Sequence, residues 1–297
     1  MARIVSRQAF LHFCRFSFLL ICVSIAQAQS RIDCSELQSR ILKQPVHYCV
    51  LLPAGYDSGA KHPARQYPVL YFLHGLGDNE QTLFKSGGWD LVQDLRQQNK
   101  ITDFLIAVPE GMATFYINSA DGKVGYSDFF LKEFIPYIEG KYSIQRTRSA
   151  RGISGVSMGG YGALRFAFAH PELFSSVSAE SPALLSPESA EENHQLGQLL
   201  GNVFGNPINL AHWKQNDPFV LARLNRNRLS TLAIYFNCGR DDEYGFAASS
   251  AALDRQLTAE GIRHEFHLYA GNHSSGYFLA HLGEVMEFHS HAFQTAK

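Results

Sequence analysis

Several stretches of the chain are apolar almost throughout and only six or seven residues long. Tyr67-Pro68-Val69-Leu70-Tyr71-Phe72-Leu73, Phe104-Leu105-Ile106-Ala107-Val108-Pro109 and Leu232-Ala233-Ile234-Tyr235-Phe236-Asn237 read as strands buried on both faces. Ala150–Ser154, Phe174–Ala179 and His264–Tyr269 are shorter or more mixed strands, and Val46–Leu52 belongs to a strand pair expected over 41–56. Between them the spacing changes to that of helices: Trp89 to about Asn99, Ser127–Tyr142 with Phe130, Phe134, Tyr137 and Ile138 on one side, and Ala163–Ala169 before His170-Pro171. A helix from Ala247 carries Leu253 and Leu257 one turn apart with Gly261 to cap it, and a last one covers Tyr277–Phe293. Strands alternating with helices predict an α/β fold, a mostly parallel twisted sheet with helices on both faces.

Each strand ends in glycine or polar residues, the end at which parallel sheets build their sites. Residues 184–228 break the pattern. They are rich in Asn, Gln and Pro, with one weakly helical piece at Glu191–Leu200, and read as a small lid inserted in the core.

Charge narrows the function by exclusion. The 297 residues carry a formal net charge of −1, with no electrostatic case for nucleic acid or an anionic membrane surface. Arg3, Arg7 and Arg15 precede an apolar run, Phe16–Ile25, and then Ala26-Gln27-Ala28. That order predicts a secretory signal over 1–28, its apolar run too short to span a membrane, and a mature protein that is secreted or periplasmic. Residues 29–297 form one domain. Cys34 and Cys49 are expected to form a disulfide in an oxidising compartment, leaving Cys238 free.

The chemistry centres on Gly155-Val156-Ser157-Met158-Gly159, set between a strand and a helix. Strand, G-x-S-x-G and helix form the nucleophile elbow of the α/β-hydrolases. Small neighbours let the two elements approach around a strained serine, and the helix points its first amides at developing negative charge. A serine hydroxyl needs a base. The chain order of such sites, Ser, then acid, then His, selects His273 in a Gly-Asn-His-Ser-Ser-Gly turn after the last strand. His281, His289 and His291 fall in a helical pattern, and no metal or cofactor is expected. The acid is Asp241 or Asp242, both just past a strand end, with Glu180 an outside candidate. The oxyanion hole is expected from the backbone N–H groups of Met158 and Leu76, the latter after His74-Gly75. Tyr116, Trp213 and Tyr244 are candidate aromatic walls for a small-molecule or carbohydrate ester.

His74-Gly75-Leu76-Gly77, the run from Gly155 to Ala163, Cys238-Gly239-Arg240-Asp241-Asp242 and Gly271-Asn272-His273 together resemble the esterase D family of α/β-hydrolases. That family includes S-formylglutathione hydrolases, feruloyl and acetyl-xylan esterases and mycolyltransferases. Its acid stands at the last position of a Cys-Gly-x-x-Asp pattern, which implies Asp242. The resemblance implies a serine esterase acting through an acyl-enzyme on Ser157, of the acyl- or feruloyl-carbohydrate type given an exported chain. An acyltransferase to a sugar hydroxyl is the alternative on the same three residues.

Overall fold

The computed structural model describes residues 31–56, 65–188 and 194–296. The expected signal over 1–28 and the start of the expected helical piece at 191 lie outside these. The described residues build an eight-stranded sheet in the order β1-β2-β4-β3-β5-β6-β7-β8. Its strands are β1 (Arg31–Ser39), β2 (Gln44–Leu52), β3 (Val69–Leu73), β4 (Leu105–Pro109), β5 (Arg151–Val156), β6 (Ser176–Glu180), β7 (Ala233–Gly239) and β8 (Glu265–Tyr269). β1–β2 and β2–β4 pair antiparallel, and every other pair is parallel. The fold is that of an α/β-hydrolase.

The pleat explains the unbroken apolar runs. Val69, Tyr71 and Leu73 of β3 join one core with Phe130, Phe134 and Phe166, while Leu70 and Phe72 join a second core with Val92, Val285 and Met286. Successive side chains point to opposite faces, so a strand covered on both sides must be apolar at every position. The helices are α1 (Thr82–Lys85), α2 (Gly88–Gln97), α3 (Tyr126–Phe129), α4 (Ile135–Lys141), α5 (Met158–Ala169), α6 (His194–Phe204), α7 (Leu210–Asn216), α8 (Pro218–Asn225), α9 (Phe246–Ala259) and α10 (Ser275–Thr295). A π-helical turn, Phe130–Phe134, joins α3 to α4. No helix among the described residues is long and apolar enough to cross a membrane.

Two elements differ from expectation. The first strand of the N-terminal pair is Arg31–Ser39, upstream of residue 41, with Cys34 directly opposite Cys49 and the two joined by a disulfide. β1 is an edge strand whose side chains are mostly exposed or half-buried, so hydrophobicity does not announce it. The second is the region over 194–225, which forms three helices in place of one. Asn209 caps α7 through Ala211 and His212, and Asp217 caps α8 through Phe219 with Pro218 as its first residue. These are ordinary helix-start signals. Trp213 packs on Phe204 with ring centroids 4.2 Å apart, and Tyr161 donates to the Asn216 carbonyl at 2.8 Å, tying the region to α5.

Candidate active site

β3 and β5 are neighbours, yet β4 lies on the far side of β3, so the connections leave their C-terminal ends in opposite directions. Such a reversal of strand order opens a crevice, and Ser157 stands in it between β5 and α5. Its backbone has φ 54° and ψ −117°, a conformation that costs a non-glycine residue on the order of 1–3 kcal/mol. Three hydrogen bonds hold it there: Ser157 N–H to the Glu180 carbonyl (2.9 Å), and Tyr161 and Ala183 N–H groups to the Ser157 carbonyl (3.0 Å each). The flanking glycines are sterically required. A Cβ on Gly155 would lie 2.3 Å from the Gly159 carbonyl oxygen, and one on Gly159 2.0 Å from that of Leu73.

Three residues far apart in sequence meet here. His273 Nδ1–H donates to Asp242 Oδ2 at 2.8 Å, and His273 Nε2 lies 2.9 Å from Ser157 Oγ, placed to accept its proton. Asp242 Oδ1 accepts from the amides of Tyr244 (3.1 Å) and Phe246 (3.4 Å). Burial alone would raise the Asp242 pKa, but the hydrogen bond and charge of His273, with those two amides, hold it below the usual carboxylate value. The carboxylate therefore stays ionised, fixing the tautomer that leaves Nε2 free to accept. Asp241 is exposed, and its contribution is a backbone N–H to the Gly271 carbonyl at 2.9 Å. Of the two adjacent carboxylates, Asp242 is the one bonded to His273.

Sequence reasoning missed how the histidine is held. The Glu243 side chain accepts from the His273 backbone N–H at 3.0 Å. The edges of Tyr244, Phe246 and Phe278 surround the ring at centroid distances of 4.9, 5.4 and 5.1 Å. The signal for Glu243 lay in the third carboxylate of Asp241-Asp242-Glu243; the packing of Phe278 had none.

Behind β3, His74 is buried and neutral. Its Nδ1–H donates to the Gly75 carbonyl (2.8 Å) and its Nε2 accepts from Gly111 N–H (2.7 Å). Burial lowers its pKa. Gly75–Asp78 closes as a turn, with Leu76 exposed at its tip. Met158 N–H belongs to the first turn of α5, where amides have no intrahelical acceptor.

The three candidate walls part company. Tyr244 is exposed beside His273. Tyr116 is fully buried, its hydroxyl donating to the His74 carbonyl at 2.9 Å, so it supports the loop after β3 and offers no surface. Trp213 is likewise buried against Phe204. Glu180, the outside candidate for the acid, is wholly buried and does not reach His273; its two carboxyl oxygens have no hydrogen-bond partner among the described residues. Burial pushes its pKa well above the carboxylate range, which the nearby Asn237 amide offsets only in part. His289 is a core residue between Ser176 and Ser178, 2.7 and 2.8 Å from their hydroxyls.

An elbow serine, an imidazole and an ionised carboxylate in this order on this sheet define the serine-hydrolase arrangement of the α/β-hydrolase fold. The chain belongs to the esterase family described as "Putative esterase", whose profile matches residues 39–288. It is similar to an esterase of Mycobacterium tuberculosis, 28% identical over 247 residues, which span 75% of this chain and 51% of that protein. It thus covers about half the length of that relative. An acetyl esterase of Caldicellulosiruptor saccharolyticus is 25% identical over 228 residues, spanning 75% of this chain and 83% of the other. Among solved structures, a ferulic acid esterase superposes with a TM-score of 0.77 at 25% identity, covering 89% of this chain and 99% of its own.

Proposed function

We propose that the protein is an exported serine esterase that hydrolyses carboxylic esters of carbohydrate type through an acyl-enzyme on Ser157. The observation that carries this is the continuous relay Asp242–His273–Ser157, with contacts of 2.8 and 2.9 Å. In the first step Ser157 Oγ attacks the ester carbonyl while His273 Nε2 takes the hydroxyl proton. The new oxyanion is held by the amides of Met158 and Leu76. The imidazolium, stabilised by Asp242, passes its proton to the departing alkoxide, and the alcohol leaves. Water then repeats the sequence at the acyl carbonyl, releasing the acid and restoring the serine. The disulfide supports export, since such bonds persist in oxidising compartments. Acetyl and ferulic acid esterases among the similar proteins support the substrate class.

The test is a panel of esters from acetyl to feruloyl, with and without a sugar acceptor, on the wild type and Ser157→Ala. Loss of the nucleophile should lower turnover by roughly four to six decades with the fold intact. Full activity in the folded variant would remove Ser157 from the reaction. A product acylated on the added sugar would make the protein an acyltransferase using the same residues.

A further inference from the structure

A cavity of about 50 Å³ lies between the turn after β3 and the start of α10, reaching Val156, the residue before the nucleophile, but not lined by Ser157 itself. Its apolar walls include Val156, Phe278 and Leu282, and Glu180 also lines it. Val156 and Glu180 are directly paired across β5 and β6, and the Glu180 carbonyl accepts the Ser157 amide. The cavity is therefore built on the residue before the nucleophile and on the strand that holds it. Phe278, on its wall, touches the His273 ring edge-on. Gly75 packs closely at this point: a Cβ there would meet Asp78 Oδ2 at 3.2 Å, Ser157 Cβ at 3.6 Å and Val156 Cγ2 at 3.7 Å.

The Glu180 carboxyl is the anomaly. It is wholly buried, and neither oxygen makes a hydrogen bond among the described residues. Asn237 is its amide neighbour: it donates to the Tyr235 hydroxyl (3.3 Å) and accepts from that of Tyr277 (3.0 Å), which leaves one amide N–H facing the carboxyl without closing a well-formed hydrogen bond. An unpaired buried polar group is costly, and proteins keep such groups where a ligand or water completes them. Burial favours its protonated form, in which a carboxyl can donate one hydrogen bond and accept another.

We propose that this cavity is the acyl subsite, and that the Glu180 carboxyl binds an oxygen carried on a short acyl chain. The assignment rests on the esterase reading and narrows it. A water needs about 10–15 Å³ of such space, so the cavity of about 50 Å³ takes about three to five heavy atoms beyond the acyl carbonyl. That fits a hydroxylated or keto four-carbon chain and excludes a hydroxycinnamoyl ring from this side. A feruloyl group would have to lie on the open side, by Tyr244.

The experiment uses 4-nitrophenyl esters of acetate, butyrate, 3-hydroxybutyrate and hexanoate with the whole protein. In the wild type, kcat/KM for 3-hydroxybutyrate should exceed that for butyrate by about tenfold or more, because a site built to hydrogen-bond an oxygen rejects the analogue without it. Glu180→Leu should collapse that ratio to near one, and Glu180→Gln should keep most of it, since an amide also donates and accepts. Leu279→Phe, which narrows the same cavity, should raise the acetate-to-butyrate ratio and so tests the site if Glu180→Leu does not fold. An equal effect of Glu180→Leu on every ester, or no preference for the hydroxylated chain in the wild type, overturns the subsite alone; that is the result for a cavity holding only water. Failure of the wild type on all four esters overturns the esterase reading and the subsite with it.

Discussion

Gly239 and Gly271 touch through their backbones: a Cβ on Gly239 would fall 2.5 Å from the Gly271 carbonyl oxygen. The contact locks the loop carrying Asp242 against the loop carrying His273. It is reinforced by Asp241 N–H to the Gly271 carbonyl and Arg240 N–H to the Tyr269 carbonyl. Gly239→Ala should force the loops apart and lower kcat/KM by about a hundredfold, the usual result of misplacing reactive groups by an ångström. Circular dichroism would show a folded protein, and a rate within twofold of wild type would show that the spacing is not critical.

Asp242→Asn should reduce kcat by roughly ten-thousandfold, because an amide favours the wrong imidazole tautomer. Asp241→Asn should change it little, since that side chain is exposed and the contact it makes to Gly271 uses the backbone. Comparable losses in the two variants would overturn the assignment of the acid.

The strained serine predicts a trade of stability against activity. Ser157→Gly should be inactive yet more stable by about 1 kcal/mol, because glycine adopts positive φ without penalty. Denaturant titration reads this directly. A variant less stable than wild type would mean that the side chain stabilises the elbow more than its backbone strains it.

Acid should destabilise the fold early. Burial lowers the His289 pKa to about 3, against about 6.5 in an unfolded chain. Between those values the unfolded state binds the extra proton, so stability falls as pH drops through that window. The limiting slope is about 1.4 kcal/mol per pH unit. His74, also lowered by burial, acts in the same direction. Urea unfolding at pH 7, 6 and 5 should show the decline, and His289→Gln should reduce its slope; an unchanged slope would remove His289 as its source.

The strand runs, the elbow and the order of Ser157, an acid at 241 or 242, and His273 are legible in the sequence; only the resemblance to a family picks Asp242. Each follows from a local rule: a doubly covered strand has to be apolar throughout, and a serine squeezed between strand and helix has to be flanked by glycine. The disulfide was also legible, because two cysteines bracketing a short loop need only an oxidising compartment and one strand pair. Residues 194–225 were misread although their caps, Asn209 and Asp217 with Pro218, were in plain view; polar composition outweighed them. What no local rule contains is which side chains meet. Tyr116 and Trp213 are as aromatic as Tyr244, yet only packing decides that the first two are buried and the third stands beside His273. Glu180 is one carboxylate among many until the pairing of β6 with β5 places it opposite Val156, the residue before the nucleophile, buried and with no well-formed hydrogen bond among the described residues. Sequence sets the period and punctuation of the elements. Register and burial, summed over the whole core, decide the environment in which each group does its chemistry.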